Sequence, residues 1–188
     1  MTIVEKLTAE EYARLPVHNY NREELIRGTL YVREPGPGCA HGYVDAQIGH
    51  LLLSFVVPRR LGVIMHNAGI VFERDPDTVC IPDISFVQAS RLPLPDEQPY
   101  LGGAPDLAVE IWSPGNTKKD MAEHVALYLR TGSRLVWVVD PQRRTVTVHR
   151  PESEPFVLGA EDQLSGEDVL PGFECRVADL FDQWPGSR

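Results

Sequence analysis

Two carboxylates stand where strands would ordinarily carry only apolar side chains. Glu110 interrupts the run Leu107-Ala108-Val109-Glu110-Ile111-Trp112, and Asp83 follows Pro82 at the head of the β-like run Ile84–Val87. Strand alternation puts Ala108, Glu110 and Trp112 on one face and Val109 and Ile111 on the other. An ionised carboxylate in a buried strand is costly unless a partner meets it. A buried ion pair with an arginine satisfies one such residue, but two in neighbouring elements ask for more. At about 5 Å and an effective dielectric of 20 their repulsion is about 3 kcal/mol. A shared proton relieves it, and so does a divalent cation. Hard oxygen ligands suit Mg²⁺ or Mn²⁺ better than Zn²⁺.

Other polar residues have two readings each. Glu24, beside Glu23, is either a third acidic ligand or half of a solvated pair. His41 follows Pro35-Gly36-Pro37-Gly38 and opens a helix, as a catalytic group or as a capping or surface residue. Asp120, His124 and Tyr128 fall at i, i+4 and i+8 of one helix and so form a stripe, which an Asp120–His124 ion pair also explains.

The elements that must position these residues follow from periodicity and punctuation. Thr8-Ala9-Glu10-Glu11 is a capping box opening a short helix that Pro16 ends. Residues Glu24–Val32 form a hairpin with Gly28 at its turn. His41–Val57 has apolar residues at helical spacing (Val44, Ile48, Leu51, Leu52, Phe55) and Pro58 closes it. Short strands are predicted at Val63–Met65, Ile70–Phe72 and Ile84–Val87, with a turn at Asp75–Thr78. Arg91–Pro105, with four prolines, is a surface loop predicted to lie at the open face of the site. Leu107–Trp112 is a buried strand, Thr117–Thr131 a helix ended by Gly132, and Leu135–Val139 another buried strand. Pro141–Arg144 turns into the half-exposed strand Thr145–His149, and Val177–Phe181 packs back. This order argues a mixed α/β domain over residues 1–188 with one central sheet.

Composition narrows the function. The 188 residues are 43% hydrophobic and 24% charged, ordinary for a globular chain. The longest apolar stretch, Leu51–Pro58, is far short of the roughly 20 residues of a membrane span. The net charge is −9, from 27 acidic and 18 basic residues, so bulk charge cannot drive nucleic-acid binding. Such a role must rest on a local patch or on metal ions. Fifteen of the basic residues are arginines, which favours planar phosphate contacts. Cys39, Cys80 and Cys175 make neither a disulfide framework nor a CxxC site, and read as buried free thiols of a cytoplasmic protein.

Taken in order, several segments resemble the Uma-two family of restriction-endonuclease-like proteins. They are Glu24–Leu30, Pro82–Val87, Pro105–Pro114, Ala126–Tyr128, Val136–Pro141 and Leu170–Phe173, and together they cover nearly the whole chain. The resemblance implies a restriction-endonuclease-like α/β fold, a mixed central sheet flanked by helices, with a PD-(D/E)xK type site. It implies Asp83 and Glu110 as metal-binding acids, Glu24 as the N-terminal acid that completes them, and His41 as an auxiliary histidine. The implied chemistry is phosphodiester hydrolysis of nucleic acid, with DNA expected, assisted by Mg²⁺ or Mn²⁺, in a possible homodimer. The chain departs from the pattern at one point. Trp112 occupies the x-K place, and four residues after Asp120, where the family supplies its lysine from the next helix, stands His124. With a reference pKa near 6.5 a histidine is mostly neutral at pH 7.5. His124 is therefore an acid/base group, a weaker cation or the mark of an impaired site, with Lys118 and Lys119 as possible substitutes. The alternative to a nuclease is a catalytically impaired nucleic-acid- or protein-binding module on the same fold.

Overall fold

The computed structural model describes residues 6–15, 22–33, 38–92 and 99–182. Along the chain the elements are α1 (Ala9–Ala13), β1 (Arg22–Ile26), β2 (Thr29–Arg33), α2 (Cys39–Arg59), β3 (Gly62–His66), β4 (Ile70–Glu73), β5 (Thr78–Cys80) and β6 (Ile84–Gln88). There follow β7 (Leu101–Gly102), β8 (Leu107–Ile111), α3 (Lys118–Thr131), β9 (Leu135–Asp140), β10 (Thr145–His149), β11 (Phe156–Leu158), β12 (Gln163–Ser165) and β13 (Glu174–Arg176). Short 3-10 turns at Ala89–Arg91 and Val177–Leu180 complete the set.

Three sheets stand where one central sheet was expected, the smallest being the antiparallel pair β12-β13. The six-stranded central sheet has the order β11-β10-β9-β8-β6-β3, and a five-stranded sheet has the order β2-β1-β5-β4-β7. The central sheet is antiparallel except at β8–β9, which α3 connects as a crossover. Its two faces are covered differently. Val109 and Ile111 of β8 and Trp137 of β9 pack against Val44, Ile48 and Leu52 of α2. Ala108 and Val136 face the other way, with Met121, Val125 and Tyr128 of α3 and Ile70, Phe72 and Cys80 of the smaller sheet. That second layer carries the site.

Local chemistry explains the elements that matter. In the first hairpin Arg27 and Gly28 both have positive φ (50° and 75°), as a two-residue I′ turn requires. Thr117 caps α3 in a closed capping box with Asp120, and Gly132 ends it at φ 121°. Thr8 and Glu11 make the same box at α1. Helix α2 runs two residues past Val57 through Pro58 and stops at Arg60 in the left-handed region. The expected ending of α1 at Pro16 and most of the loop 35–38 lie outside the described residues.

The loop after β6 departs from its expected place. β6 and β8 are antiparallel neighbours, so the chain between them leaves Gln88 and returns at Leu107, at the end of the pair away from Asp83. Its anchors hold there: Arg91 Nη1 donates to Ala104 O at 2.8 Å and to Asp106 Oδ2 at 3.1 Å, and Asp106 N donates to Phe86 O. Residues 93–98 of this loop lie outside the described set. Cys39 is exposed and Cys175 half-buried, so Cys80 alone fits the expectation of a buried thiol.

Candidate active site

Glu110 lies mid-strand in β8 on the α3 face, as alternation requires, and is 2% exposed. Residue pairing puts Ile84 opposite Val109, so Asp83, one step before β6, comes opposite Glu110. Asp83 is 1% exposed. Its Oδ2 accepts the N–H of Ile111 at 2.7 Å, tying it to the residue after Glu110. Against the same oxygen, at 3.2 Å, stands His41 Nε2 from the first turn of α2. His41 is 6% exposed, and its Nε2 is buried without a hydrogen bond of proper geometry. It is thus neither a helix cap nor a surface residue.

Glu24 arrives from the smaller sheet. In β1, Leu25 faces the cluster of Ala9, Tyr12 and Val79, while Ile26 packs on the α3 layer, and Glu24 shares the face of Ile26. Glu24 is 1% exposed. Between Glu24 and Glu110 lies the ring of His124, with Nε2 3.3 Å from Glu24 Oε2 and Nδ1 3.5 Å from Glu110 Oε1. One turn on, Tyr128 donates its hydroxyl to Glu110 Oε1 at 2.5 Å. The Tyr128 ring stacks between His124 at 5.8 Å and Phe72 at 4.6 Å.

This arrangement selects the cationic reading of His124 over the neutral one that its reference pKa gives at pH 7.5. Burial works against its charge, but hydrogen bonding to Glu110 and Glu24 and their negative charge outweigh it. The pKa is held up at about 10. An imidazolium therefore lies between two buried carboxylates. Burial, reinforced by Glu110, also raises the Tyr128 hydroxyl well above its usual value, so it remains a donor. Asp120 turns its carboxylate to the cap, with Oδ2 accepting from Thr117 Oγ1 at 2.7 Å. Lys119 faces Glu123 at 3.8 Å on the exposed side of α3.

The structure thus sets Glu24 and Glu110 around His124, and Asp83 beside His41. Sequence reasoning singled out all five. It missed Cys80, from the three-residue strand β5, which is fully buried. Among the described residues, Glu24, Cys80 and His124 each offer a ligand atom within 4.8 Å of the others. Sequence reasoning also missed the backbone amide of Ile111. Neither has a sequence signal, because each depends on a tertiary contact.

A cavity of about 590 Å³ opens beside His41. It is lined by the start of α2, by Trp112 and Asn116 of the β8–α3 connection, by Lys118 at the start of α3, and by Gln142 and Arg143 of the β9–β10 turn. The described part of the loop 91–105 contributes nothing to it. No helix among the described residues is long and apolar enough to cross a membrane.

Comparison with known proteins adds an independent line. The family model described as "Uma2: Putative restriction endonuclease" matches residues 9–178. Among solved structures, the chain is similar to "a putative nuclease belonging to DUF820" from Anabaena variabilis ATCC 29413. The TM-score is 0.82 and the identity 25%, over 94% of this chain and 98% of that one. No curated protein matches the chain.

Proposed function

The chain belongs to the Uma2 family, and on that premise we propose that it is a divalent-metal-dependent nuclease that hydrolyses phosphodiester bonds, with DNA as its expected substrate. The observation that carries this reading is the burial of Glu24, Asp83 and Glu110 at 1%, 1% and 2% exposure, in one layer with His124. Buried carboxylates at this density call for cations. The donor set fits Mg²⁺ or Mn²⁺, being all hard oxygen, and the buried His41 Nε2, 3.2 Å from Asp83 Oδ2, makes no well-formed hydrogen bond there.

Asp83 and Glu110 would hold the ion, with Glu24 completing the acidic set. When bound, it supplies a polarised water and neutralises charge at the scissile phosphoryl group. The remaining work falls to the chain itself. The Ile111 N–H fixes the Asp83 carboxylate, and Tyr128 fixes Glu110. His124, cationic at neutral pH, places positive charge in the layer where negative charge develops on the phosphoryl oxygens. His41 is the auxiliary group beside Asp83, at the wall of the cavity. Lys118 and Arg143 on that cavity are suited to flanking phosphates of the strand. We infer further that residues 1–188 form one domain that works in a reducing cytoplasm, where unbridged thiols persist, as a pair of copies that addresses both strands of a duplex.

A calorimetric titration with Mn²⁺ and Mg²⁺ tests the metal set. Wild type should bind, and Asp83→Asn and Glu110→Gln should each bind far more weakly. Equal binding by all three proteins would refute this ligand assignment.

One observation favours a second reading, a binding module without catalysis. The His124 imidazolium lies 3.3 Å from Glu24 and 3.5 Å from Glu110 and offsets one of their two charges, so the pair is partly compensated without an ion. A metal-independent association with nucleic acid, in the absence of any cleavage, would decide for it.

A further inference from the structure

We propose that Glu24, Cys80 and His124 form a second metal site, selective for a borderline-soft transition ion of the Zn²⁺ class rather than Mg²⁺ or Mn²⁺. Three ligand types meet there, one carboxylate oxygen, one thiol sulfur and one imidazole nitrogen, each within 4.8 Å of the others. All three residues are buried, at 1%, 0% and 8% exposure. A thiolate–imidazole–carboxylate set is characteristic of Zn²⁺ and Co²⁺, whereas Mg²⁺ avoids sulfur.

The His124–Glu24 spacing fits a tetrahedral ion. Two N/O ligands bound at about 2.0 Å and tetrahedral angles lie roughly 3.3 Å apart. His124 Nε2 and Glu24 Oε2 are 3.3 Å apart. The far side of the ring is also built for ligation. His124 Nδ1 faces Glu110 Oε1 at 3.5 Å, and Tyr128 pins that same oxygen at 2.5 Å. A metal-bound histidine typically donates its other N–H to a carboxylate, which sets the tautomer and strengthens the ligand. Three protein ligands leave the fourth position open to water or an incoming group. Binding would release one proton from the Cys80 thiol and one from the His124 imidazolium to solvent.

This inference does not need the nuclease reading, although it has a consequence for it. An ion on His124 removes the imidazolium from the lysine place, so Zn²⁺ should inhibit Mn²⁺-supported cleavage.

Co²⁺ is the probe, added to metal-free full-length protein without Mg²⁺ or Mn²⁺. We expect a single equivalent to bind with the visible bands of a tetrahedral ion and the near-ultraviolet band of a thiolate–cobalt bond. Zn²⁺ should bleach both. Cys80→Ser should abolish the thiolate band, and Glu110→Gln should weaken binding by about 10- to 100-fold. A double variant, Cys39→Ser with Cys175→Ser, leaves Cys80 as the sole thiol and avoids any folding risk at the buried position. It must retain the full thiolate band. Loss of the band in that variant, its persistence in Cys80→Ser, or its absence from wild type would overturn the proposal. Because the readout is spectroscopic, a protein without nuclease activity would leave the test intact.

Discussion

The Asp83 carboxylate accepts the backbone N–H of Ile111 at 2.7 Å, so the side chain proposed to hold the metal also fastens the β8 backbone next to Glu110. The two roles separate by substitution. Asparagine keeps an acceptor oxygen but removes the charge, whereas alanine leaves a buried N–H unmet. Asp83→Ala should lose about 1–3 kcal/mol of stability in denaturant unfolding. Asp83→Asn should lose less and yet be as deficient in metal binding.

Metal that binds only the folded form stabilises it by mass action, by about 2.7 kcal/mol at a hundredfold excess over Kd. Addition of ~10 mM Mn²⁺ should therefore raise the melting temperature of wild type but not of Asp83→Asn. Equal shifts in both proteins would remove Asp83 from the metal set.

His124 is the cation between two buried carboxylates, and its removal leaves them facing each other. His124→Ala should cost about 3–5 kcal/mol in metal-free buffer at neutral pH. It should also lower cleavage by about 10²-fold. His124→Lys should keep or increase cleavage at pH 8. If all three proteins cleave equally, His124 has no part in the reaction. Cleavage by the lysine variant alone would establish the impaired binding module.

The same residue sets a pH dependence. Its folded pKa, about 10, lies above the unfolded value near 6.5, so the folded state binds the extra proton between them. The stabilisation is fully present below pH 6.5 and lost as pH rises through about 10. In metal-free melting curves the gap between wild type and His124→Ala should narrow steadily across that range. A gap that widens with pH would contradict the assigned charge.

Much of the site was legible because strand alternation and helix spacing are local. The face of Glu110 and the stripe of His124 and Tyr128 follow from such rules, whereas the pairing that sets Asp83 opposite Glu110 joins strands distant in sequence. The smaller sheets beside the central one were not legible, since β5 and β7 have three and two residues and show no period. Yet β5 joins β1 to β4 in the smaller sheet that carries Glu24, and it also carries Cys80. The charge of His124 was left open by the sequence for the same reason. A histidine's pKa is set by neighbours, and Glu24 and Glu110 come from strands of two different sheets. The loop 91–105 was misplaced because its composition marks it as surface without saying at which end of β6 and β8 it lies.

Cleavage itself tests the central claim most directly. Wild type and Asp83→Asn should be incubated with single- and double-stranded DNA and RNA, in Mn²⁺, in Mg²⁺ and in chelator. The account predicts that wild type cuts at least one DNA substrate with a divalent ion present and none in chelator, and that Asp83→Asn loses at least about 10²-fold of the rate. Cleavage that persists in chelator, or that is undiminished in Asp83→Asn, would contradict it.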